Sequence, residues 1–348
     1  MAKSDNLRKA KEEKNDEFYT QLSDIVAEIA QHPDYVKHFK DKTVLCNCDD
    51  PEWSAFVEFF RLFFNKLSIK KMISTHYTKD GSPSYKLEWS GEKMNGDTIN
   101  MIKTPLKGDG DFRSDECIEL LKEADIVVTN PPFSKAREYM ATLMKYHKQF
   151  IVIGDLNWIT YKEIFPWLKD NEIWLGYGHV KEFRQPDGTI KKFGNKLWFT
   201  NLDIDKVHEP LQLTKLYKGN ESHYPKYDNY DAIEVSKVTD IPKDYYDPMG
   251  VPVTFMADAC LDQFEILGMT SGRNEFDKKA WPTKRYENPK QFSYKDNAWV
   301  ETNGSKINTG AELIFHNRPA EATYYTADNQ PVPLKRLYNR IIIQRKVS

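Results

Sequence analysis

The chain has 348 residues, and its 50 lysines and arginines nearly balance 52 aspartates and glutamates, for a formal net charge of −2. Because single hydrophobic cores rarely exceed about 300 residues, this length predicts one large domain or a core with a smaller second region. Hydrophobic residues make up 40% of the sequence, which excludes disorder over most of the chain. The near-neutral charge excludes a bulk-charge coat on nucleic acid but is compatible with a local basic groove.

The four cysteines, Cys46, Cys48, Cys117 and Cys260, are too few and too scattered for a disulfide framework. They indicate a reduced compartment, and we expect the protein to be cytoplasmic. The Cys46 and Cys48 pair lacks the second pair of ligands of a structural zinc site, so no metal is expected. The charged first 15 residues predict no signal peptide, and no apolar run is long enough to predict a membrane span.

The first 200 residues alternate apolar runs with helical periodicity, which is typical of an α/β domain with a mostly parallel sheet. Strands are predicted at 43–48, 70–76, 126–130, 150–154, 172–176 and 196–201, and helices at 17–30, 53–67, 116–123, 135–146 and 161–169. Ser114 and Ser134 are expected N-caps. The last two strands are expected to form an antiparallel pair that closes the sheet.

Two segments interrupt or follow this pattern. Residues 77–107 are rich in Gly, Ser, Lys and Asn, so they predict a hairpin or a surface excursion. Beyond Asp203 the periodicity fades, which predicts a division near residue 205 between a core at 16–205 and a C-terminal region at 206–348. A short apolar strand is expected within 336–346, and residues 1–15 read as a charged arm.

The strongest motif is Asn130-Pro131-Pro132-Phe133, at the carboxyl end of a predicted parallel strand, where open α/β sheets bind ligands. It suits a planar amino or amide nitrogen as substrate, which is a poor nucleophile because its lone pair is delocalised. The Asn130 side-chain oxygen and the Pro131 carbonyl can accept its two hydrogens and stabilise the positive charge that develops during attack. Phe133 offers a face for a flat base. The alternative is that this motif merely ends a strand.

A second polar segment, Cys46-Asn47-Cys48-Asp49-Asp50, lies at the end of the first predicted strand, where doubly wound sheets bind nucleoside cofactors. Asp49 or Asp50 could accept hydrogen bonds from a ribose or an amino group, and Asn47 could line the pocket. The lack of Gly-x-Gly argues against a phosphate cradle. The alternative is a polar loop that caps the next helix.

A third loop, at residues 107–113, lies between these two motifs. It could place Asp111 against the amino group of an adenine ring and Phe112 on the face of that ring. An ordinary turn is the alternative. A calcium loop is excluded, because the twelfth position holds Ile118 instead of a glutamate.

Four motifs occur in the order Phe18 to Thr20, Cys46 to Asp50, Gly108 to Arg113 and Asn130 to Phe133. In this order they resemble those of the S-adenosylmethionine-dependent DNA adenine-N6 methyltransferases, and more narrowly those of the EcoRI-type adenine-specific family. The resemblance spans residues from about 15 to 268. It implies a Rossmann-like methyltransferase fold at 16–205 and a smaller C-terminal DNA-recognition region. It also implies methyl transfer from S-adenosylmethionine to N6 of an adenine flipped out of duplex DNA. The supporting stretches are 16–21, 46–51, 108–114, 125–134, 159–163, 224–232 and 249–255.

The resemblance also implies roles for particular residues. The motif Asn130 to Phe133 would hold the target adenine. Apart from the resemblance, Phe183 and Trp158 are candidates for a second stacking ring, and ordinary core packing is the alternative for both. No residue can be assigned to the ribose hydroxyls, because the second strand ends in Ser74-Thr75-His76 instead of an acidic residue. The expected cofactor-binding residues are Phe18, Tyr19, Thr20, Cys46, Asn47, Cys48, Asp49, Asp50, Asp111 and Phe112.

The implied partners are double-stranded DNA and a cognate restriction endonuclease that acts separately, and the protein is expected to be a monomer. Adenine-N6 methylation of RNA and methylation of a protein glutamine by the same motif stay open, as does a module that binds cofactor or DNA without catalysis. The basic residues expected at the DNA backbone are Arg8, Lys9, Lys181, Arg184, Lys284 and Arg285.

Overall fold

A nine-stranded sheet organises the first part of the chain. The structure, a computed structural model, describes residues 19–48, 50–78, 81–90, 101–184, 189–270, 282–316 and 322–347. The sheet has the strand order β1-β8-β9-β7-β6-β2-β3-β4-β5. Its strands are β1 (Tyr19–Thr20), β2 (Thr43–Cys46), β3 (Lys71–Thr75), β4 (Tyr85–Ser90), β5 (Ile102–Pro105), β6 (Ile126–Thr129), β7 (Gln149–Asp155), β8 (Trp174–Arg184) and β9 (Ile190–Thr200).

The four central strands, β7, β6, β2 and β3, run parallel to one another. All the other strand pairs of this sheet are antiparallel. Strands β2 and β6 are buried at every position, as expected for parallel strands covered on both faces. The prediction of a parallel core closed by an antiparallel pair is confirmed, with β8 and β9 as the pair. The antiparallel part is larger than predicted, because the segment at 77–107 contributes β4 and β5.

The helices of this part are α1 (Leu22–Ile25), α2 (Pro33–Val36), α3 (Ala55–Phe63), α4 (Asp115–Glu123) and α5 (Ala136–Lys145). Ser114 caps α4 as predicted, since its Oγ accepts the backbone N–H of Cys117 at 3.3 Å. The N-cap prediction for Ser134 is wrong, because Ser134 lies within the 3-10 turn Phe133–Lys135 and α5 begins only at Ala136.

Two predicted helices start later than expected. The helix predicted at 17–30 is preceded by β1, because Tyr19 and Thr20 pair with Arg184 and Phe183 of β8, and aromatic and β-branched residues suit a strand. Helical structure then runs through α1 into the π-helix Val26–Ala30. The helix predicted at 161–169 is only α6 (Phe165–Lys169).

The chain divides into two compact units, the described residues up to Ile164 with Glu172–Lys206, and Phe165–Asn171 with the described residues from Val207. The assignment of separate functions to 16–205 and 206–348 stays a prediction. In the described residues, no helix combines the length and the apolar character needed to cross a membrane.

The second unit contains two sheets, with strand orders β10-β11-β18-β12 and β14-β13-β16-β17-β15. The strand predicted within 336–346 is confirmed as β18, and its Ile341, Ile342 and Ile343 are fully buried. The strands are β10 (Ile233–Glu234), β11 (Met249–Pro252), β12 (Phe264–Met269), β13 (Lys290–Lys295), β14 (Ala298–Asn303), β15 (Glu312–Ile314), β16 (Tyr324–Ala327), β17 (Gln330–Arg336) and β18 (Arg340–Arg345).

Candidate active site

The Asn130-Pro131-Pro132-Phe133 motif follows directly on β6, in the parallel centre of the sheet. Asn130 is only 7% exposed, and Phe133, which begins the turn into α5, is partly exposed. The chain goes from β2 to β3 on one side and returns to β6 on the other side of β2. The carboxyl ends of β2 and β6 therefore flank the switch point, where open α/β sheets bind their ligands.

The loop after β2 lies across this switch point from the motif. Asn47 is buried, and its Oδ1 accepts a 2.6 Å hydrogen bond from the Tyr139 hydroxyl. Asp50 accepts the backbone N–H of Glu52 at 2.9 Å, and its Oδ2 lies 3.7 Å from Nε2 of His76. The loop is thus fixed by side chains from α5 and from the end of β3. Cys46 is the last residue of β2, Cys48 is part of the loop, and Asp49 lies outside the described residues.

The third predicted loop packs against the end of β3. Gly110 has φ +79°, and a Cβ there would lie 2.0 Å from the carbonyl oxygen of His76, so only glycine fits this close approach. Asp111 accepts hydrogen bonds from Arg113 Nε at 2.8 Å and Nη2 at 2.7 Å. These bonds lower the pKa of Asp111, which keeps it an ionised acceptor at neutral pH. Phe112 is buried, with its ring edge-on to Tyr139 at 5.0 Å.

The end of β3 carries polar atoms that suit a nucleoside. Thr75 Oγ1 and His76 Nδ1 are buried, and neither has a hydrogen-bond partner among the described residues. Buried polar atoms normally have partners, so these atoms are suited to ligand hydroxyls. The residues here fit an adenosine-type cofactor, because Asp111 offers a hydrogen-bond acceptor and Phe112 offers a flat ring surface. The sequence has no glycine-rich loop here that could bind phosphates, so a cofactor without phosphates fits best.

Thr20 lies in β1, at the edge of the sheet, and is connected to the motif through Phe183. It pairs in register with Phe183 of β8, and the ring of Phe183 lies 6.5 Å from that of Phe133. Thr20 Oγ1 is also buried without a hydrogen-bond partner in the described part of the chain. Only the backbone of Tyr19 is described, and Phe18 lies outside the described residues.

Two rings predicted to stack on the base contact Phe133 edge-on. Trp158 lies at 6.4 Å with an interplanar angle of 71°, and Phe183 at 6.5 Å with 88°. Both side chains are fully buried here. The structure therefore brings the three aromatic residues together, and the stacking roles of Trp158 and Phe183 stay predictions.

Sequence reasoning missed three residues beside the motif, Lys196, Asp155 and Phe193. The Lys196 ammonium is 2.6 Å from Asp155 Oδ2, 4.1 Å from the centroid of the Phe133 ring and 5.1 Å from that of Phe193. One feature of the sequence could have indicated that Lys196 is buried: it directly precedes the apolar run Leu197-Trp198-Phe199. A lysine at such a position usually reads as a surface charge, which is why the pattern did not select it.

The chain matches a known family over almost its whole length. A family model described as adenine-specific methyltransferase EcoRI matches residues 6–346. The chain belongs to this family. The match confirms the resemblance seen in the motifs and extends it through the C-terminal region, where the motifs had thinned.

Named relatives of the family support the assignment. The type II methyltransferase M.EcoRI of Escherichia coli is 45% identical over 78% of this chain and 91% of its own length. M.MpnI of Mycoplasma pneumoniae is 39% identical over 75% of this chain and 84% of its own. M.MgeORF184P of Mycoplasma genitalium is 38% identical over 75% and 85%. No solved structure matches the chain significantly.

The basic residues predicted to contact the DNA backbone differ in their exposure and in their ion pairs. Lys181 and Arg184 of β8 are exposed, and so is Arg285 in the second unit. Lys284 instead forms an ion pair with Asp228 at 3.0 Å and a hydrogen bond with Gln330. Arg8 and Lys9 lie outside the described residues.

Proposed function

We propose that this protein methylates the N6 amino group of adenine at specific sites in duplex DNA. The observation that carries the proposal is the position of Asn130 to Phe133 at the carboxyl end of β6, at the switch point of a parallel core. Membership of the adenine-specific family and the type II methyltransferases among its relatives support the same activity.

S-adenosylmethionine is the proposed cofactor, and it would supply an activated methyl group. The loop Cys46 to Asp50, with Asp111 and Phe112, would hold its nucleoside part, and Thr75 and His76 offer polar atoms for the ribose. Phe18, Tyr19 and Thr20 would close over its methionine end. Direct transfer needs no covalent nucleophile, so neither Cys46 nor Cys48 is assigned that role.

Asn130 and Pro131 would do the chemical work on the adenine side. The Asn130 side-chain oxygen and the Pro131 carbonyl would accept the two hydrogens of the amino group and stabilise the positive charge that develops on its nitrogen. Phe133 would stack on the base, with Trp158 and Phe183 in edge contact with its ring. Because the amino group takes part in base pairing within the duplex, we propose that the adenine is flipped out.

Site selection is assigned to residues 206–348 in this proposal, together with exposed basic groups such as Lys181, Arg184 and Arg285. The enzyme would act as a monomer, in the cytoplasm, alongside a separate endonuclease of the same specificity.

The test is transfer of tritium from labelled S-adenosylmethionine to duplex DNA, RNA and protein offered separately. Label in duplex DNA, recovered as N6-methyladenine, is the expected result. Sequencing of DNA from cells that express the protein would then map the methylated sites. Label only in RNA or protein would contradict the proposal.

A further inference from the structure

Lys196 is a lysine placed where an ammonium is costly. Lys196 is only 5% exposed. A buried charge is energetically costly unless a group of opposite charge lies next to it. Asp155 is that partner: it lies opposite Lys196 across strands β7 and β9, and its Oδ2 is 2.6 Å from the ammonium. The sheet register itself therefore creates this ion pair beside the motif.

Asp155 is held in place independently of Lys196. Its Oδ1 accepts the backbone N–H of Asn157 at 2.8 Å, where β7 passes into a 3-10 turn. Its Oδ2 also accepts a hydrogen bond from Nδ2 of Asn195 at 2.7 Å. Charge-assisted hydrogen bonds are short and strong, so this carboxylate fixes the position of the Lys196 head group.

The ammonium lies close to two aromatic rings. Its nitrogen is 4.1 Å from the centroid of Phe133 and 5.1 Å from that of Phe193, within the range of cation–π attraction. Both rings are partly exposed, whereas Trp158 and Phe183 are fully buried. Phe133 and Phe193 are thus the accessible flat surfaces around this cation.

A lysine ammonium carries three N–H donors and no acceptor. In the described part of the chain, Asp155 accepts the one hydrogen bond that this ammonium donates. Donor capacity is therefore left for a ligand next to Phe133. Adenine carries acceptor nitrogens at N1, N3 and N7, whereas N1 of guanine carries a hydrogen, so a donor placed at N1 would favour adenine over guanine.

We infer that Lys196, held by Asp155, donates a hydrogen bond to a ring nitrogen of the target adenine and so takes part in selecting the base. This inference rests on the proposed function. Enzymes that bind a flipped base read it by hydrogen bonds to its edge and by aromatic stacking, and Lys196 adds the first of these to Phe133. The carboxylate of Asp155 neutralises the ammonium, so that it does not oppose the positive charge that develops on N6.

The test combines base analogues with a variant. Duplexes would carry a site mapped from expressing cells, with the target adenine replaced by 1-deaza-, 3-deaza- or 7-deazaadenine. For the wild type, kcat/KM should fall about 10- to 100-fold with one analogue, the size expected for a hydrogen bond from a charged donor. For Lys196→Met, kcat/KM with the same analogue and with adenine should differ by no more than about threefold. The variant lacks the donor, so removing the ring nitrogen from the base costs no further interaction, which is the logic of a double-mutant cycle.

Lys122→Met is the matched control, since Lys122 is also bound to a carboxylate, Glu119 at 2.6 Å, but on the exposed surface of α4. It should keep the wild-type discrimination. Should Lys196→Met fail to fold, the double variant Asp155→Asn/Lys196→Met removes both charges and takes its place. Binding of S-adenosylmethionine, measured by calorimetry, should be unchanged in the variant used.

Two results would overturn the role of Lys196. One is a wild type that treats all three analogues like adenine, and the other is a Lys196 variant that keeps the full discrimination. A wild type that methylates no duplex DNA at all would instead reject the proposed function, and the inference with it.

Discussion

The Tyr139 hydroxyl donates a 2.6 Å hydrogen bond to Oδ1 of Asn47 and so connects α5, the helix after the motif, to the loop after β2. The ring of Tyr139 also contacts Phe112 edge-on at 5.0 Å. Burial raises the pKa of Tyr139 well above its usual value, so the hydroxyl is a neutral donor at every physiological pH. One buried side chain of α5 therefore links two of the segments expected to hold the cofactor, the loop after β2 and the loop that contains Phe112.

Substitution Tyr139→Phe should weaken cofactor binding without unfolding the protein. It removes one neutral hydrogen bond, worth about 1 kcal/mol, so the Kd for S-adenosylmethionine should rise about fivefold. Calorimetric titration measures this directly. Tyr146→Phe, just beyond the end of the same helix, is the control and should bind like the wild type. An unchanged Kd for Tyr139→Phe would show that Asn47 does not depend on this contact.

Substitution Asn130→Ala should slow methyl transfer strongly while leaving binding of cofactor and DNA intact. Loss of one preorganised group that stabilises developing charge costs roughly a hundredfold to a thousandfold in rate. Single-turnover transfer to duplex DNA measures the chemical step, and calorimetry with S-adenosylmethionine and gel shifts with DNA check binding. An Asn130→Ala protein that binds both ligands and transfers at the wild-type rate would contradict the role given to this side chain.

Arg285 and Lys284 should respond differently to substitution by alanine. Arg285 is exposed, so if it contacts a phosphate, its loss should reduce the slope of log K against log salt by about 1. Lys284 is engaged by Asp228 at 3.0 Å, so Lys284→Ala should leave that slope nearly unchanged and lower the thermal midpoint instead. DNA binding measured at several salt concentrations distinguishes the two residues. Equal slopes for the wild type and Arg285→Ala would show that Arg285 does not contact a phosphate.

Glu312 should make the second unit less stable as the pH rises. Burial raises the pKa of this carboxyl to about 9 from an ordinary value of 4.5, despite Arg336 Nε at 3.7 Å. Between these pH values the folded protein keeps a proton that the unfolded chain releases, so the free energy of unfolding falls as the pH rises from about 5 to 9.

Glu312→Gln removes this titration and should flatten the pH dependence. The measurement is the urea midpoint at several pH values between 5.5 and 9. Glu301→Gln is the control, because Glu301 is an exposed residue of β14 paired with Lys290 at 3.0 Å, and it should retain the wild-type slope. A Glu312→Gln protein with that same slope would show that Glu312 is ionised in the folded state.

Where local pattern and tertiary environment agree, the sequence was sufficient. The runs at β2 and β6 are continuous and apolar because parallel strands are covered on both faces, and so they were predictable. Ser114 was predictable as a cap because its bond to Cys117 is local. Thr20 was not predictable as a strand residue, since its pairing with Phe183 spans most of the first unit.

The sequence by itself determined the motif of Asn130 to Phe133, its place at a strand end, and with these the family and its chemistry, because such features depend on neighbouring residues alone. Only the tertiary structure decided which distant side chains complete the site. Tyr139 reaches Asn47, and Lys196 reaches both Asp155 and Phe133, through strand register and helix packing. The residues next to a lysine or a tyrosine in the sequence do not indicate which distant side chain it will contact. Its partner is therefore known only from the folded sheet.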